Sequence, residues 1–275
     1  MITRIITGVI GIALAAYVIQ TGGTLFAGFA LGLALIAWFE YARAFAERGM
    51  GLTMLTGFLG IALLWYTGWQ GNAELMVAAA TLVVLVVMLE SVLLHGSVSI
   101  IDAVTSAAGI LYIGFPFTYM VMLRAWPGHE ITTQLGEFEF GCALIWIMFI
   151  GTWASDTFAY FTGSAIGRHK LCSRISPNKT IEGFLGSVVG TTAAVAGLGV
   201  FFSLPVQEMA VLGFAISILA TLGDLVESVA KRYTGIKDSG NIIPGHGGIW
   251  DRFDSVLFTA PLVYYFVKYV GLAMK

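Results

Sequence analysis

Charge is scarce in this chain. Lys, Arg, Asp and Glu make up 11% of its 275 residues, while apolar side chains reach 58%. A soluble globular protein carries about 25% charged residues and about 45–50% apolar ones. The mean hydropathy is +0.87. This excess is too large for one soluble core, so the composition excludes a soluble domain and requires an integral membrane protein. Cysteine is almost absent. Cys142 and Cys172 are the only two, and they fall near opposite ends of one predicted span, which excludes a disulfide framework. The long runs lack polar–apolar alternation, which excludes barrel strands and leaves helices to satisfy the backbone. A net charge of −2 says little about partners, and nucleic acid is not expected among them.

What the chain does have is apolar runs of about twenty residues, the length that spans a bilayer core of roughly 30 Å. They predict spans near 5–21, 24–42, 52–70, 74–94, 101–123, 139–162, 183–203, 207–230 and 253–273. The run after Arg4 has the outline of a signal peptide but is read as the first span, because no soluble domain follows it. Only the turn Gln20–Gly23 separates the first two spans, and Pro116 is expected to kink the fifth. The expected fold is therefore all-α and polytopic, with about nine transmembrane helices. Residues 1–275 form one membrane domain, with 1–130 a helical scaffold and 139–275 a catalytic half carrying cytoplasmic loops 163–182 and 231–252.

Charge sets the expected orientation. With nine spans, Arg4, Arg43, Arg48, Arg168, Lys170, Arg174, Lys179, Lys231, Arg232, Lys237 and Arg252 share a side, and only Arg124, Lys268 and Lys275 lie on the other. The positive-inside rule then predicts N-in and C-out. Both charged loops would face the cytoplasm, where nucleotides are available, and bacterial inner membrane is the expected location.

The first half is nearly featureless chemically. Gly28-x-x-x-Gly32, like the later Gly186-x-x-x-Gly190, allows close helix approach, and packing is the preferred reading over a dimer motif. Glu90 and Asp102 flank the loop around His95 and are read as interfacial or locally paired acids.

The second half is different. Asp156 falls about two turns before Gly163, inside the expected hydrocarbon or just beneath its cytoplasmic face. A carboxylate there costs roughly 2.5–3.5 kcal/mol at a helix centre. It is either a structural hydrogen-bonding group or, with Ser155, Thr157 and Tyr160, the wall of a polar cavity. In the loop RHKLCSRISPNKTIEG, Pro177 stops any continuing helix. Thr180 or Asn178 can cap the next span, and Glu182 suits its first turn. Arg168, Lys170 and Arg174 are read as the positive-inside signal itself. Lys179 stands beside a helix N-terminus, a physically reasonable phosphate site.

Asp224, Glu227, Ser228 and Lys231 stand at i, i+3, i+4 and i+7, and so share one helix face. A Glu227–Lys231 salt bridge is the plain structural alternative. Asp224 has no basic residue at i±3 or i±4 and needs a partner elsewhere, for which a metal ion is a natural choice. The loop KDSGNIIPGHGGIWDRFD follows, with Lys237 and Asp238 opening it and Pro244 fixing a turn before His246-Gly247-Gly248. Glycines there let backbone N–H groups approach an anion. Asp251 and Asp254, three apart, begin the last span. One of them is expected to cap that helix, and Asp254 is the preferred one. Asp224 and Asp251 thus come from the ends of two spans joined by a cationic loop. Hard oxygen ligands suit Mg²⁺, and Lys179, Arg232 and Lys237 suit a triphosphate. The implied chemistry is phosphoryl or nucleotidyl transfer at the membrane face, driven mostly by positioning and charge neutralisation.

Four fixed patterns resemble one family. They are Ser228-x-x-Lys231-Arg232, Lys237-Asp238-x-Gly240, Pro244-x-His246-Gly247-Gly248 and Asp251-Arg252-x-Asp254. Together they are similar to the signature of the phosphatidate cytidylyltransferases, or CDP-diacylglycerol synthases, with no departure at any fixed position. Ser155-Asp156-Thr157 with Ala159-Tyr160, and Ser176-Pro177-Asn178-Lys179-Thr180 with Glu182-Gly183, resemble it as well. The likeness is close over about 150–260 and elsewhere extends only to a set of spans. It implies transfer of CMP from CTP to phosphatidate, giving CDP-diacylglycerol and pyrophosphate, with Mg²⁺, a possible second and monovalent cation such as K⁺, and a homodimer in the bilayer.

By resemblance, Asp224 and Asp251 are the metal ligands and Ser228 lies at the site. Lys237 and Asp238 also count as catalytic. Asp156, Lys179, Lys231, Arg232, His246, Gly247, Gly248 and Arg252 count as substrate-binding. Phosphatidate is already an anion, so no strong general base is required. Two rivals share these features: a CTP-dependent transferase acting on a polyprenyl or ether lipid, and an ion-coupled transporter. The acids gather at one end and no internal repeat is evident, which disfavours the transporter.

Overall fold

The computed structural model describes residues 2–128, 130–133, 136–242, 247–270 and 272, with side chains described from Gly8 onward. Every predicted span coincides with a helix. These are α1 (Ile2–Thr21), α2 (Gly23–Ala46), α3 (Met54–Trp69), α4 (Ala73–Leu93), α5 (Ile100–Arg124), α6 (Phe140–Ile166), α7 (Ile181–Phe201), α8 (Val206–Thr234) and, for the last span, the short α9 (Ile249–Phe253) followed by α10 (Val256–Val270). Among the described residues, α2, α4, α5, α6, α7 and α8 are long and apolar enough to cross a membrane, and Gly8–Thr21, α3 and α10 are shorter apolar helices. The all-α polytopic expectation is borne out. Leu82, Leu85, Leu89 and Val92 stay exposed along α4, an apolar face suited to lipid rather than water.

Two antiparallel hairpins, β1 (Glu130–Thr133) with β2 (Gly136–Glu139) and β3 (Lys170–Cys172) with β4 (Ser176–Thr180), add to what the apolar runs predict. Both lie in polar connections, where no apolar periodicity announces them. The chain packs as two compact units. One comprises Met1–Met122 with Ala230–Phe253, and the other Leu123–Val229 with Asp254–Lys275.

In the first unit, α2, α3, α4 and α5 pack around small residues. A Cβ at Gly57 would overlap the Trp38 indole, and one at Gly109 would overlap the Tyr41 ring. The acids of this region are locally paired, as expected. Glu90 accepts a hydrogen bond from Thr56 Oγ1. Asp102 accepts from the Ser99 N–H at 2.9 Å, the Ser99 hydroxyl at 2.7 Å and the Gly51 N–H at 3.1 Å. Gly28 and Gly32 are the exception. A Cβ at either would meet nothing within 4 Å, so this pair does not serve helix packing among the described residues. Pro116 lies inside α5, which continues through it.

In the second unit, α6 and α7 run in close contact. A Cβ at Gly186 would overlap Thr162, and one at Gly190 would overlap the Phe158 ring, so the Gly186-x-x-x-Gly190 spacing does mark a close approach. Ser155 and Ser187 share a buried hydroxyl–hydroxyl bond of 2.8 Å across the same pair. The Thr180 hydroxyl accepts the Gly183 N–H at 3.1 Å and caps α7, as read from the sequence. Cys142 and Cys172 are both free thiols.

The last predicted span is broken near its start. Ser255 turns its hydroxyl to the Ala220 carbonyl at 3.1 Å and its own carbonyl accepts from the Phe258 and Thr259 N–H groups, opening α10 as a separate helix. The Asp254 carboxylate accepts the Ser255 N–H at 2.6 Å.

Candidate active site

The residues singled out from the sequence fall into two clusters, one in each unit. In the second unit, Lys179 ends β4 just ahead of the Thr180 cap, and the β3–β4 hairpin fixes its position. Its ammonium lies 2.8 Å from Asp224 Oδ2. Ser228, one turn further along α8, donates to Asp224 Oδ1 at 3.2 Å. Asp224 therefore has the distant partner that the sequence required, and in this structure the partner is a lysine. The Asp224 side chain remains 32% exposed and Lys179 23%, so both reach solvent.

The hairpin itself is closed by Glu182. Its carboxylate accepts the Arg168 and His169 N–H groups at 3.1 and 3.2 Å and lies 2.6 Å from His169 Nδ1. Asp156 is exposed on α6 and engaged with a partner, while Ser155 beside it is buried in the α6–α7 contact. Of the two, Ser155 serves packing and Asp156 stays at the surface.

In the first unit, Asp251 is the centre of the cluster. Its side chain is only 5% exposed, and Lys231 Nζ lies 2.7 Å from Oδ1. The Ser239 N–H donates to both carboxylate oxygens at 3.1 and 3.0 Å, and the Gly248 N–H donates to Oδ2 at 2.7 Å. The Gly248 bond is the backward half of a capping box at the start of α9. Capping of α9 therefore falls to Asp251, which stands at the third position of the short helix, while Asp254, the acid preferred from the sequence, lies just past α9. Lys231 is engaged with Asp251, an acid that helical spacing did not point to.

Gly247 has φ of 83°, and a Cβ there would overlap Asp251 Oδ2. Glycine is needed at that position for both reasons. Lys237 and Asp238 are exposed at the mouth of the loop, as are Arg232 and Arg252, the latter two with partners of their own. His246 and Pro244 lie outside the described residues.

Sequence reasoning missed Glu40. This α2 residue is 2% exposed and reaches the signature loop from the half of the chain that looked featureless. Its Oε2 accepts the Ser239 hydroxyl at 3.1 Å and the Trp250 N–H at 2.8 Å. Next to it, Tyr41 meets the Trp250 ring edge-on at 5.1 Å. The signal was available, since Glu40 is a carboxylate inside a predicted span and such residues are functional by default.

Among the described residues, no three His, Cys, Asp or Glu side chains converge into a metal-binding group. Mg²⁺ does not require one, because it is commonly bound by one or two carboxylates with water and substrate phosphates completing the octahedron. The donors present fit in kind. Each candidate acid is a hard oxygen ligand that already faces a cation, and Asp224, the more exposed of the two, fits with least rearrangement.

Apolar helices of spanning length define the class, an integral membrane protein, and its lysine-paired carboxylates and Gly-rich loop are chemistry suited to phosphates. The sequence profile described as the cytidylyltransferase family matches residues 2–270. A phosphatidate cytidylyltransferase of Bacillus subtilis (strain 168) is 32% identical, covering 95% of this chain and 96% of the relative. One of Synechocystis sp. is 36% identical, covering 96% and 95%. One of Staphylococcus saprophyticus is 32% identical, covering 96% and 97%. The chain belongs to the cytidylyltransferase family, and the resemblance drawn from its motifs is borne out over its whole length.

Proposed function

We propose that this protein transfers CMP from CTP to phosphatidate, releasing pyrophosphate and leaving CDP-diacylglycerol in the membrane. The observation that carries the reading is family membership over nearly the whole chain, in a protein whose signature acids are both held by lysines. The lipid phosphate is already an anion, so the protein need not remove a proton. Its work is to neutralise, orient and exclude water.

Lys179, beside the capped N-terminus of α7, is placed to exchange its carboxylate partner for a triphosphate oxygen. Lys231 has the same capacity at Asp251. Arg232, Lys237 and Arg252, all exposed, supply further positive charge, with His246 and Gly247 in the phosphate loop. Asp224 and Asp251 are the proposed ligands for Mg²⁺, which when bound would neutralise charge on the phosphates. A second, monovalent cation, a homodimer, an N-in/C-out topology and a site facing the cytoplasm of a bacterial inner membrane complete the reading. The charge bias of the loops supports the orientation.

The test is a substrate panel on the purified protein in lipid. With Mg²⁺ present, pyrophosphate should appear from CTP only when phosphatidate is supplied, and EDTA should stop it. Release with a polyprenyl lipid but not with phosphatidate would replace this reading by the rival transferase.

A further inference from the structure

We propose that Glu40 is a positioning residue for the signature loop, acting on Asp251 through Ser239 and the backbone of Gly248–Trp250. The inference rests on the proposed role of Asp251 only for its effect on catalysis; the structural coupling stands on its own. Glu40 and Asp251 grip the same two segments from opposite ends. Ser239 gives its N–H to Asp251 and its hydroxyl to Glu40. At the other segment, Gly248 gives its N–H to Asp251, and Trp250, two residues on, gives its N–H to Glu40.

The glycines fit the same account. A Cβ at Gly240 would overlap Glu40 Oε1, and one at Gly248 would overlap both Glu40 Oε2 and Ser239 Oγ. Two of the loop's glycines are thus explained by the approach of a carboxyl group from α2, in addition to any use with phosphate. Glu40 Oε1 has no hydrogen-bond partner among the described residues. Leaving a polar atom buried and unpaired is unfavourable, so packing alone is a poor reason for a carboxyl group here. Trp250, 1% exposed and set against Tyr41, locks the α9 end of the clamp.

The experiment is hydrogen exchange on the full chain in lipid nanodiscs without nucleotide or Mg²⁺, followed by steady-state kinetics. In Glu40→Ala, the Trp250 amide loses its acceptor directly. The decisive readout is the Ser239 amide, whose acceptor is Asp251 and not Glu40. Positioning predicts that it too exchanges about tenfold faster, while peptides of α3 and α4 are unchanged. Turnover should fall by about tenfold or more, with the KM for CTP moving far less. Glu40→Gln retains an oxygen able to accept both bonds and should stay within about threefold of wild type in exchange and turnover.

Unchanged exchange at Ser239 in Glu40→Ala, or a Glu40→Gln variant as impaired as Glu40→Ala, overturns the proposal. If Glu40→Ala fails to fold, Ser239→Ala removes one of the two bonds without touching α2, and the amides of 248–250 must then exchange faster. Altered exchange with no transfer to phosphatidate by the wild type would sink the functional reading and leave the coupling intact.

Discussion

Asp224 and Asp251 look equivalent in the sequence, yet their surroundings differ. Asp224 is partly exposed and receives one lysine and one hydroxyl, whereas Asp251 is buried under a lysine and two backbone N–H groups. Replacing a carboxylate by an amide at the first site leaves no buried charge stranded. At the second it takes the negative charge away from the Lys231 contact and turns an NH₂ toward backbone donors, a loss of about 3 kcal/mol when one partner of a buried pair is removed. Asp224→Asn is therefore expected to abolish turnover with little change in thermal unfolding, and Asp251→Asn to abolish turnover and lower the unfolding temperature as well. Equal thermal stability of the two variants would contradict the contrast. Lys179→Ala should raise the KM for CTP more than that for phosphatidate, measured by varying each substrate in turn. The pairing of Lys179 with Asp224 was beyond sequence reasoning, since 45 positions and the whole of α7 separate them. Glu40 was legible as an oddity, but its target was not.

The elements that carry these residues are built by short-range rules, and here the sequence was most informative. Thr180 before an apolar run predicts a cap, and the hydroxyl accepts the Gly183 N–H as predicted. Thr180→Ala should cost about 1 kcal/mol of stability and loosen the residue next to it, Lys179, which a urea unfolding series together with the CTP dependence would register. Close approach of α6 and α7 depends on Gly186 and Gly190 facing Thr162 and Phe158. Gly190→Leu should force those helices apart and lower the unfolding temperature by several degrees, whereas Gly28→Leu, with nothing within 4 Å, should leave it nearly unchanged. The two glycine pairs have identical spacing, so only the packing tells them apart. The β3–β4 hairpin was invisible because its residues are polar and its closing group, Glu182, lies in the helix that follows.

At the scale of the whole molecule, composition dictates the membrane, and charge bias predicts an N-in, C-out orientation. A reporter fused after Lys275 should behave as external to the cytoplasm, and one fused ahead of Met1 as cytoplasmic; the reverse pattern would refute the positive-inside reading. The packing regroups the chain in a way that linear order does not suggest. The segment Ala230–Phe253, which contains most of the signature, belongs with residues 1–122, so the chemically quiet first half supports the loop through Glu40, Tyr41 and Ser239's partners.

Apolar run length and the capping residues were enough, by themselves, to determine an all-α membrane protein, and its fixed motifs carried the resemblance to the cytidylyltransferase family. All three are local properties, set by a helix rise, a hydrogen bond a few residues long, or chemistry carried by neighbours in the chain. Which lysine neutralises which acid, which glycines meet a carboxyl group, and that a glutamate two hundred residues away braces the loop were decided only by tertiary structure. Such partners are chosen by where packed helices bring side chains, and no periodicity in the sequence records that choice.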